Sequence, residues 1–262
     1  MKQHVLARLL VSIAAGACLV WAVSGSSSAQ PPSAPPVPWA FAPNAHPYGK
    51  SYSQWTGRTS KWAMELPVGD CSAGGATPGH PYLDCPNYSV SEGQHGKVWY
   101  LPGAGDGITR NVSIPKGKSL MCILAGAEAS SLEDPNSGFY GATAAEQRAA
   151  AQYWGDHVVV ASLFCELDGQ ALPNLGGYRF TSPQYSITVP TPWIFGATGG
   201  PGTSVNDGYS VIVKPLSQGS HVLHFGGSFH FSVADGDPFD ADFGYDMTYN
   251  VTQLGSGDGD DD

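Results

Sequence analysis

The chain has 262 residues, a formal net charge of −10 and only 13% charged residues, with 34 glycines and 21 prolines. This composition excludes a coiled coil, and the 7 Trp and 12 Tyr exclude a disordered acidic chain. An acidic chain without a Lys/Arg run also lacks the charge that nucleic-acid-binding proteins use to neutralise phosphates.

The first 29 residues have the pattern of a signal peptide. Lys2 and Arg8 form a basic start, residues 9–23 are mostly apolar, and small residues end at Ala29. As a helix, this apolar run would reach about 22 Å, which is short of the ~30 Å hydrocarbon core of a membrane. We therefore expect cleavage after about Ala29 and a secreted or periplasmic protein with no transmembrane span.

Two segments of biased composition frame a single predicted domain, residues 48–254. Residues 30–47 contain seven prolines, which fix φ and withhold hydrogen-bond donors, so a Pro-rich linker is expected there. Residues 255–262 contain only Gly, Ser and Asp, which is typical of an acidic, disordered tail.

Removal of the leader takes away Cys18 and leaves an even number of cysteines. In an exported protein this number predicts two disulfide bonds among Cys71, Cys85, Cys122 and Cys165. All three pairings are open, and the short Gly/Pro-rich segment between Cys71 and Cys85 favours a bond between those two. The sequence contains no C-x-x-C pair, so it does not indicate a structural zinc site.

Helical periodicity is clearest at residues 51–66, where apolar or part-apolar residues recur at spacings of 3, 4, 3 and 4 before Pro67. This stripe consists of Tyr52, Trp55, Thr59, Trp62 and Leu66. Its two Trp rings could stack on sugars, but burial against a core is the favoured interpretation. A second helix is predicted at residues 143–154, with Thr143 and Glu146 at the spacing of a capping box.

Short runs rich in Val, Ile, Tyr, Phe and Thr predict strands over the rest of the domain. The expected strands are 97–101, 108–114, 119–124, 185–189, 209–214, 221–225, 228–233 and 245–252. Residues 158–167 are also strand-like, and Asp168-Gly169 is a hairpin signal. Many strands with few helices predict a mainly β fold, an antiparallel β-sandwich or jelly roll carrying two helices, about 51–66 and 143–154.

Three segments together resemble a family of uncharacterised exported bacterial proteins. Residues 48–55 read YGKSYSQW, residues 93–101 read GQHGKVWYL, and residues 219–227 read GSHVLHFGG. Members of that family begin with a similar Y-G-x-S-Y-x-x-W stretch and end with a G-x-H-x-x-H-F-G-G-like strand. The resemblance covers about residues 48–252 and implies no catalytic residue, because the family has no established activity.

Two clusters could bind metal. His221, His224 and His230 lie on neighbouring predicted strands, and imidazole is the commonest ligand for transition metals. Alternation along a strand places His221 and His224 on opposite faces, so at most one of them shares a face with His230. Burial of one histidine and exposure of the others is the simpler interpretation.

The second cluster is acidic and lies in one predicted loop. Asp235, Asp237, Asp240 and Asp242 offer the hard oxygen ligands that calcium prefers, although the spacing is not that of an EF-hand. A solvated hairpin loop explains the same carboxylates. Calcium is therefore the candidate ion, without an assigned site.

The function most consistent with export, low charge and aromatic content is that of an extracytoplasmic binding module. Its ligand would be an extracellular or envelope molecule such as a carbohydrate, and Trp154, Trp193 and Tyr209 are the candidate binding residues. The alternative is a secreted enzyme, either metal-assisted through His224 and His230 or a metal-free polymer hydrolase or lyase. The sequence leaves open whether the protein is an enzyme, because every common catalytic motif is missing from it.

Overall fold

The computed structural model describes residues 39–70, 78–79, 90–101, 103, 107–191, 193, 195 and 199–255, which belong to the unit Pro38–Asp262. The predicted signal peptide, Cys71, Cys85 and residues 256–262 of the predicted tail lie outside these residues. No helix in the described ranges has the length and apolar character needed to cross a membrane.

The described residues form two α-helices and twelve strands. The helices are α1 (Tyr52–Glu65) and α2 (Ala144–Asp156). The strands are β1 (Gly69–Asp70), β2 (Pro78–Gly79), β3 (Val98–Leu101), β4 (Ile108–Ile114), β5 (Ser119–Ser130), β6 (Phe164–Leu167), β7 (Gln170–Ala171), β8 (Arg179–Thr181), β9 (Tyr185–Val189), β10 (Gly200–Val213), β11 (Gly219–Phe231) and β12 (Ala241–Gln253).

Two five-stranded sheets carry the fold, and β1 and β2 form a separate short pair. Sheet I has the order β3-β5-β10-β8, with β9 also paired to β10, and sheet II has the order β4-β12-β11-β6-β7. Most pairs are antiparallel, but β3 pairs with β5 and β4 pairs with β12 in parallel. The expectation of a purely antiparallel fold is therefore wrong, because alternation of side chains within a strand carries no information about the direction of its partner.

Side chains from both sheets form the main hydrophobic core, which makes the fold sandwich-like. Leu120 and Leu124 of β5, Val211 of β10 and Phe225 and Phe229 of β11 are each at most 1% exposed. A mainly β fold with two helices is confirmed. The strand connections do not show the jelly roll that was the other expected form.

Both predicted helices are confirmed, and local hydrogen bonds explain where they begin. The Ser51 hydroxyl accepts from the backbone N–H of Gln54, and the Gln54 side chain accepts from the N–H of Ser51. Thr143 and Glu146 form the same capping box at the start of α2, as their spacing predicts. On α1, the predicted apolar stripe is buried.

Strand β11 runs without interruption through Gly226 and Gly227, where a break between two strands was expected. A Cβ atom at Gly226 would collide with the carbonyl oxygen of Tyr245 and lie 2.8 Å from the ring of Phe164. Gly226 is therefore required by the close approach of neighbouring strands and does not end β11. The predicted hairpin at Asp168-Gly169 is present, with both residues at positive φ.

The predicted linker differs from the structure over residues 39–47, which pack on the domain. The N–H of Phe41 donates to the carbonyl of Ile212 at 2.9 Å. The hydroxyls of Tyr52 and Tyr178 donate to the carbonyl of Phe41 at 2.8 and 3.0 Å. A Pro-rich segment is extended by its fixed φ angles, and here that conformation lies along β10, so ordered structure begins before the expected residue 48.

Candidate functional site

The aromatic side chains expected to bind a ligand are all buried. Trp154 is 4% exposed, Trp193 is 3% exposed and Tyr209 is 5% exposed. The Trp154 ring stacks on Phe139 at a centroid distance of 4.4 Å and meets Phe231 edge-on at 4.8 Å. None of the three rings offers a free face to a sugar, so the prediction that they bind a ligand finds no support in this structure.

The three candidate metal-ligating histidines each contact a different carboxylate. The pairs are His221 with Asp168 at 2.7 Å, His224 with Asp246 at 2.8 Å, and His230 with Asp242 at 2.7 Å. His224 and His230 occupy even positions of β11 and alternate with its buried residues, whereas His221 has the opposite parity. The histidines are thus spread along β11 in separate pairs and do not converge.

These pairs favour the protonated form of two of the imidazoles. Partial burial disfavours the charged ring of His221, but its hydrogen bonds with Asp168 and the Ser217 carbonyl outweigh burial and raise its pKa. The hydrogen bond with Asp242 raises the pKa of His230, which is exposed.

The carboxylates of the predicted calcium loop make local contacts of their own. Asp237 accepts from the N–H of Ser232 and the hydroxyl of Tyr153, and these bonds lower its pKa. Asp240 accepts from the N–H of Val233 at 2.8 Å. Across the described ranges, no three His, Cys, Asp or Glu side chains are grouped so that they could hold a metal ion. The calcium and transition-metal assignments stay predictions.

A surface groove of about 490 Å³ lies between α1 and the start of β9. Its lining contains three cationic side chains and no carboxylate. The lining residues are Lys50, Gln54, Gly57, Arg58, Lys61, Pro183, Gln184, Tyr185 and Ser186. Because the chain as a whole carries a net charge of −10 with only 12 Lys and Arg, a quarter of its cations lie along this groove.

Helix α1 positions the cations of the groove. Gln54, Arg58 and Lys61 follow one another at helical spacing on the least buried face of the helix, where the Arg58 guanidinium lies over the edge of the buried stripe at Trp55. The Lys61 ammonium donates to the Ser186 carbonyl at 2.7 Å, which connects the helix to β9 across the groove. A Cβ atom at Gly57 would lie only 3.1 Å from the Tyr185 ring, so glycine allows that ring to approach the helix closely.

Behind the groove lies the buried carboxyl group of Glu128, a residue of strand β5. Burial, followed by the charge of neighbouring Glu133, raises the pKa of Glu128 to about 8. Its Oε2 accepts from the Ser204 hydroxyl at 2.5 Å, and its Oε1 has no hydrogen-bond partner among the described residues. Asn206, directly opposite on β10, likewise has an unpartnered Oδ1. These buried acceptors favour a proton on Glu128 at neutral pH.

Tyr185 connects this buried carboxyl to the groove. Its ring lines the groove, and its hydroxyl lies 3.1 Å from the Ser204 oxygen, which in turn bonds Glu128. Tyr185, Ser204 and Glu128 therefore form a chain of polar groups that runs from the groove to the buried carboxyl. In chemical terms, the groove can bind an anion, and the carboxyl behind it can hold and release a proton.

Neither the groove nor Glu128 was among the residues expected to function. Two signals in the sequence could have indicated them. Glu128 lies in an otherwise uncharged run, residues 119–130, and a carboxylate inside a buried strand is rare unless paired. Lys50, Arg58 and Lys61 flank or lie on the polar side of the predicted helix, but only the fold shows that β9 completes a groove with them.

Comparisons with known proteins show no family for this chain. No family model and no curated protein matches it. The solution structure of amebosin is similar at 11% sequence identity, over 60% of this chain and 100% of amebosin, with a TM-score of 0.18. A TM-score that low supports no conclusion about fold or function. The resemblance to exported bacterial proteins stays a prediction.

Proposed function

We propose that this protein is an exported binding module that holds an anionic carbohydrate in the groove between α1 and β9. The observation that supports this proposal is the concentration of cations on one groove of an acidic protein, where Lys50 and Arg58 lie beside Lys61. Lys61 is also paired with Glu65 at 2.5 Å, so Lys50 and Arg58 carry most of the proposed anion binding. Carboxylate or sulfate groups of a sugar polymer would pair with these cations. The polar side chains of Gln54 and Gln184 would bond its hydroxyls.

An extended polymer suits this site better than a compact apolar ligand. The groove is open to solvent along its length, whereas small-molecule sites are enclosed. A charged chain could also extend beyond the groove. Export by the predicted signal peptide would bring the protein into contact with envelope and extracellular polysaccharides.

Binding to acidic and neutral polysaccharides tests this function. We expect binding to polyuronates or sulfated glycans that weakens as salt rises, and no binding to cellulose or neutral β-glucan. Lys50→Ala should weaken binding about tenfold, the loss of one charge-assisted contact. Lys97→Ala, an exposed lysine outside the groove, is the matched control and should bind as the unchanged protein does. Equal affinity for neutral and acidic polymers would contradict the proposal.

The buried acid supports a second candidate, a metal-free hydrolase of the same polymer. A carboxyl that stays protonated up to about pH 8 can supply a proton at neutral pH. In this candidate, the Tyr185 hydroxyl donates its proton to the leaving sugar oxygen. Glu128 then replaces that proton through the Ser204 hydroxyl. A water molecule adds its hydroxyl group to the sugar carbon, and its remaining proton restores the protonated form of Glu128. The glycosidic bond is thus hydrolysed with water as the only other reactant.

Release of reducing ends distinguishes the enzyme from the binding module. If the hydrolase is correct, acidic polymers incubated with the protein yield new reducing ends, and the activity falls as pH rises through about 8. Tyr185→Phe should abolish this activity while leaving polymer binding intact. Binding without any reducing ends between pH 4 and 9 would exclude the hydrolase and leave the binding module standing.

A further inference from the structure

Two cysteines from opposite sheets meet in the main core. Cys122 lies in β5 of sheet I and Cys165 lies in β6 of sheet II, and they are 0% and 1% exposed. Both side chains belong to the same cluster of buried core residues, and both are free thiols in this structure.

We propose that Cys122 and Cys165 form a disulfide bond that joins the two sheets. Both cysteines are on regular strands of the core, so the fold brings them together whenever the sheets pack. The bond would close a loop of about 43 residues that contains α2. It would also resolve the pairing that the sequence leaves open, because Cys71 and Cys85 then remain for each other.

The surroundings of the two thiols give them no other evident role. The Cys122 sulfur lies 3.6 Å from the carbonyl oxygen of Val211, and apolar core residues surround both cysteines. Burial, reinforced by the contact with Cys122, raises the pKa of Cys165 well above its usual value. A buried neutral thiol is a poor nucleophile, so a catalytic role is not supported. For the same reason, the bond should form before the core closes.

Bond formation needs an oxidant, which is a disulfide-containing compound or protein of an oxidising compartment. One cysteine, as thiolate, attacks the oxidant's disulfide and forms a mixed disulfide, releasing one thiol of the oxidant. The second cysteine then attacks that mixed disulfide and releases the other thiol. Two protons and two electrons therefore pass from the cysteine pair to the oxidant, which ends as two thiols.

Refolding tests the pairing independently of export. The full chain, denatured and reduced, is refolded in a buffer of reduced and oxidised glutathione, and remaining thiols are then blocked with iodoacetamide under denaturing conditions. Peptide mapping without reductant should recover the peptides of Cys122 and Cys165 joined to each other. Recovery of either cysteine as the alkylated thiol, or joined to Cys71 or Cys85, would overturn the proposal.

Thermal unfolding provides a second readout that does not depend on mapping. In the Cys71→Ser/Cys85→Ser double variant, where this bond is the one left to reduce, reduction should lower the Tm by about 10 °C, the effect of opening a loop of this length in a domain of this size. In Cys122→Ala/Cys165→Ala, reduction should give only the smaller response of a bond between Cys71 and Cys85. If reduction does not change the Tm of the Cys71→Ser/Cys85→Ser variant, the proposed bond is contradicted. Polymer binding is measured separately, so failure here leaves the proposed function untouched.

Discussion

Glu128 is the residue whose ionisation should contribute most to the pH dependence of stability. Its pKa rises from 4.5 in the unfolded chain to about 8 when burial and Glu133 act on it. The folded state therefore retains a proton that the unfolded state releases above pH 4.5. Its contribution to stability is fully present below pH 4.5 and is lost as pH rises to about 8.

We expect Glu128→Gln to remove this pH dependence. Glutamine is neutral and has nearly the size and shape of the protonated carboxyl group. Between pH 4.5 and 8, the unfolding free energy of the unchanged protein should fall by up to about 1.4 kcal/mol per pH unit relative to the variant. Urea unfolding at several pH values measures the two slopes.

The control for this experiment is an exposed carboxylate. Glu92 lies on the surface, so Glu92→Gln should leave the slope of the unchanged protein as it is. Parallel curves for the unchanged protein and Glu128→Gln would contradict the assignment of a raised pKa to Glu128.

At the residue scale, the sequence indicated which side chains could bind a metal, but not whether the fold brings them together. His221, His224 and His230 were recognised, and the placement of His221 and His224 on opposite faces was predicted correctly, whereas His230 was expected on a separate strand. The cross-strand partners Asp242 and Asp246 depend on the register of β12, which spacing along one strand does not determine. The exposure of the Trp154 ring could not be predicted from the sequence either, because the residues that cover it are distant along the chain.

At the element scale, β11 depends on a glycine in its middle. Gly226→Ala should destabilise the protein by about 1–3 kcal/mol, because its Cβ atom would collide with the backbone oxygen of Tyr245 and force the strands apart. The loss is measured by urea unfolding.

A second glycine provides the matched control. At Gly177, an added Cβ atom would lie 3.8 Å from Pro43, an ordinary van der Waals distance, so Gly177→Ala should change stability far less. If the two variants unfold at the same urea concentration, the close approach at Gly226 does not constrain β11.

Helix ends were predictable, whereas strand ends were not. The capping residues Ser51 and Thr143 act through hydrogen bonds to residues three positions away, so the information is local. Strands β5 and β10 extend well past the expected 119–124 and 209–214 because they pair with each other along ten residues of each. Their extra length includes polar residues such as Glu128 and Asn206, which do not resemble a strand core until the partner is known.

At the scale of the whole molecule, the N-terminal segment contributes to the stability of the domain. A chain that begins at Tyr48 should have a Tm several degrees below that of a chain that begins at Pro38. Removal of residues 38–47 takes away the acceptors of the buried Tyr52 hydroxyl and Trp55 indole N–H. Each unsatisfied buried donor costs about 1–3 kcal/mol.

Differential scanning calorimetry of the two chains measures this difference. Tyr52→Phe in the longer chain is the control, since it removes one donor without removing the segment, and its Tm should lie between those of the two chains. Equal Tm values for the two chains would show that residues 38–47 contribute nothing to the domain, as the sequence composition alone suggested.

The position of β12 between β4 and β11 has a consequence for how the chain is made. β4 hydrogen-bonds in parallel to a strand that begins more than a hundred residues later, at Ala241. While the ribosome is still adding residues before that point, the nascent chain lacks the strand that joins β4 to the rest of sheet II. Assembly of the sandwich must then wait until β12 has been synthesised, which is typical of a topology dominated by distant strand pairs.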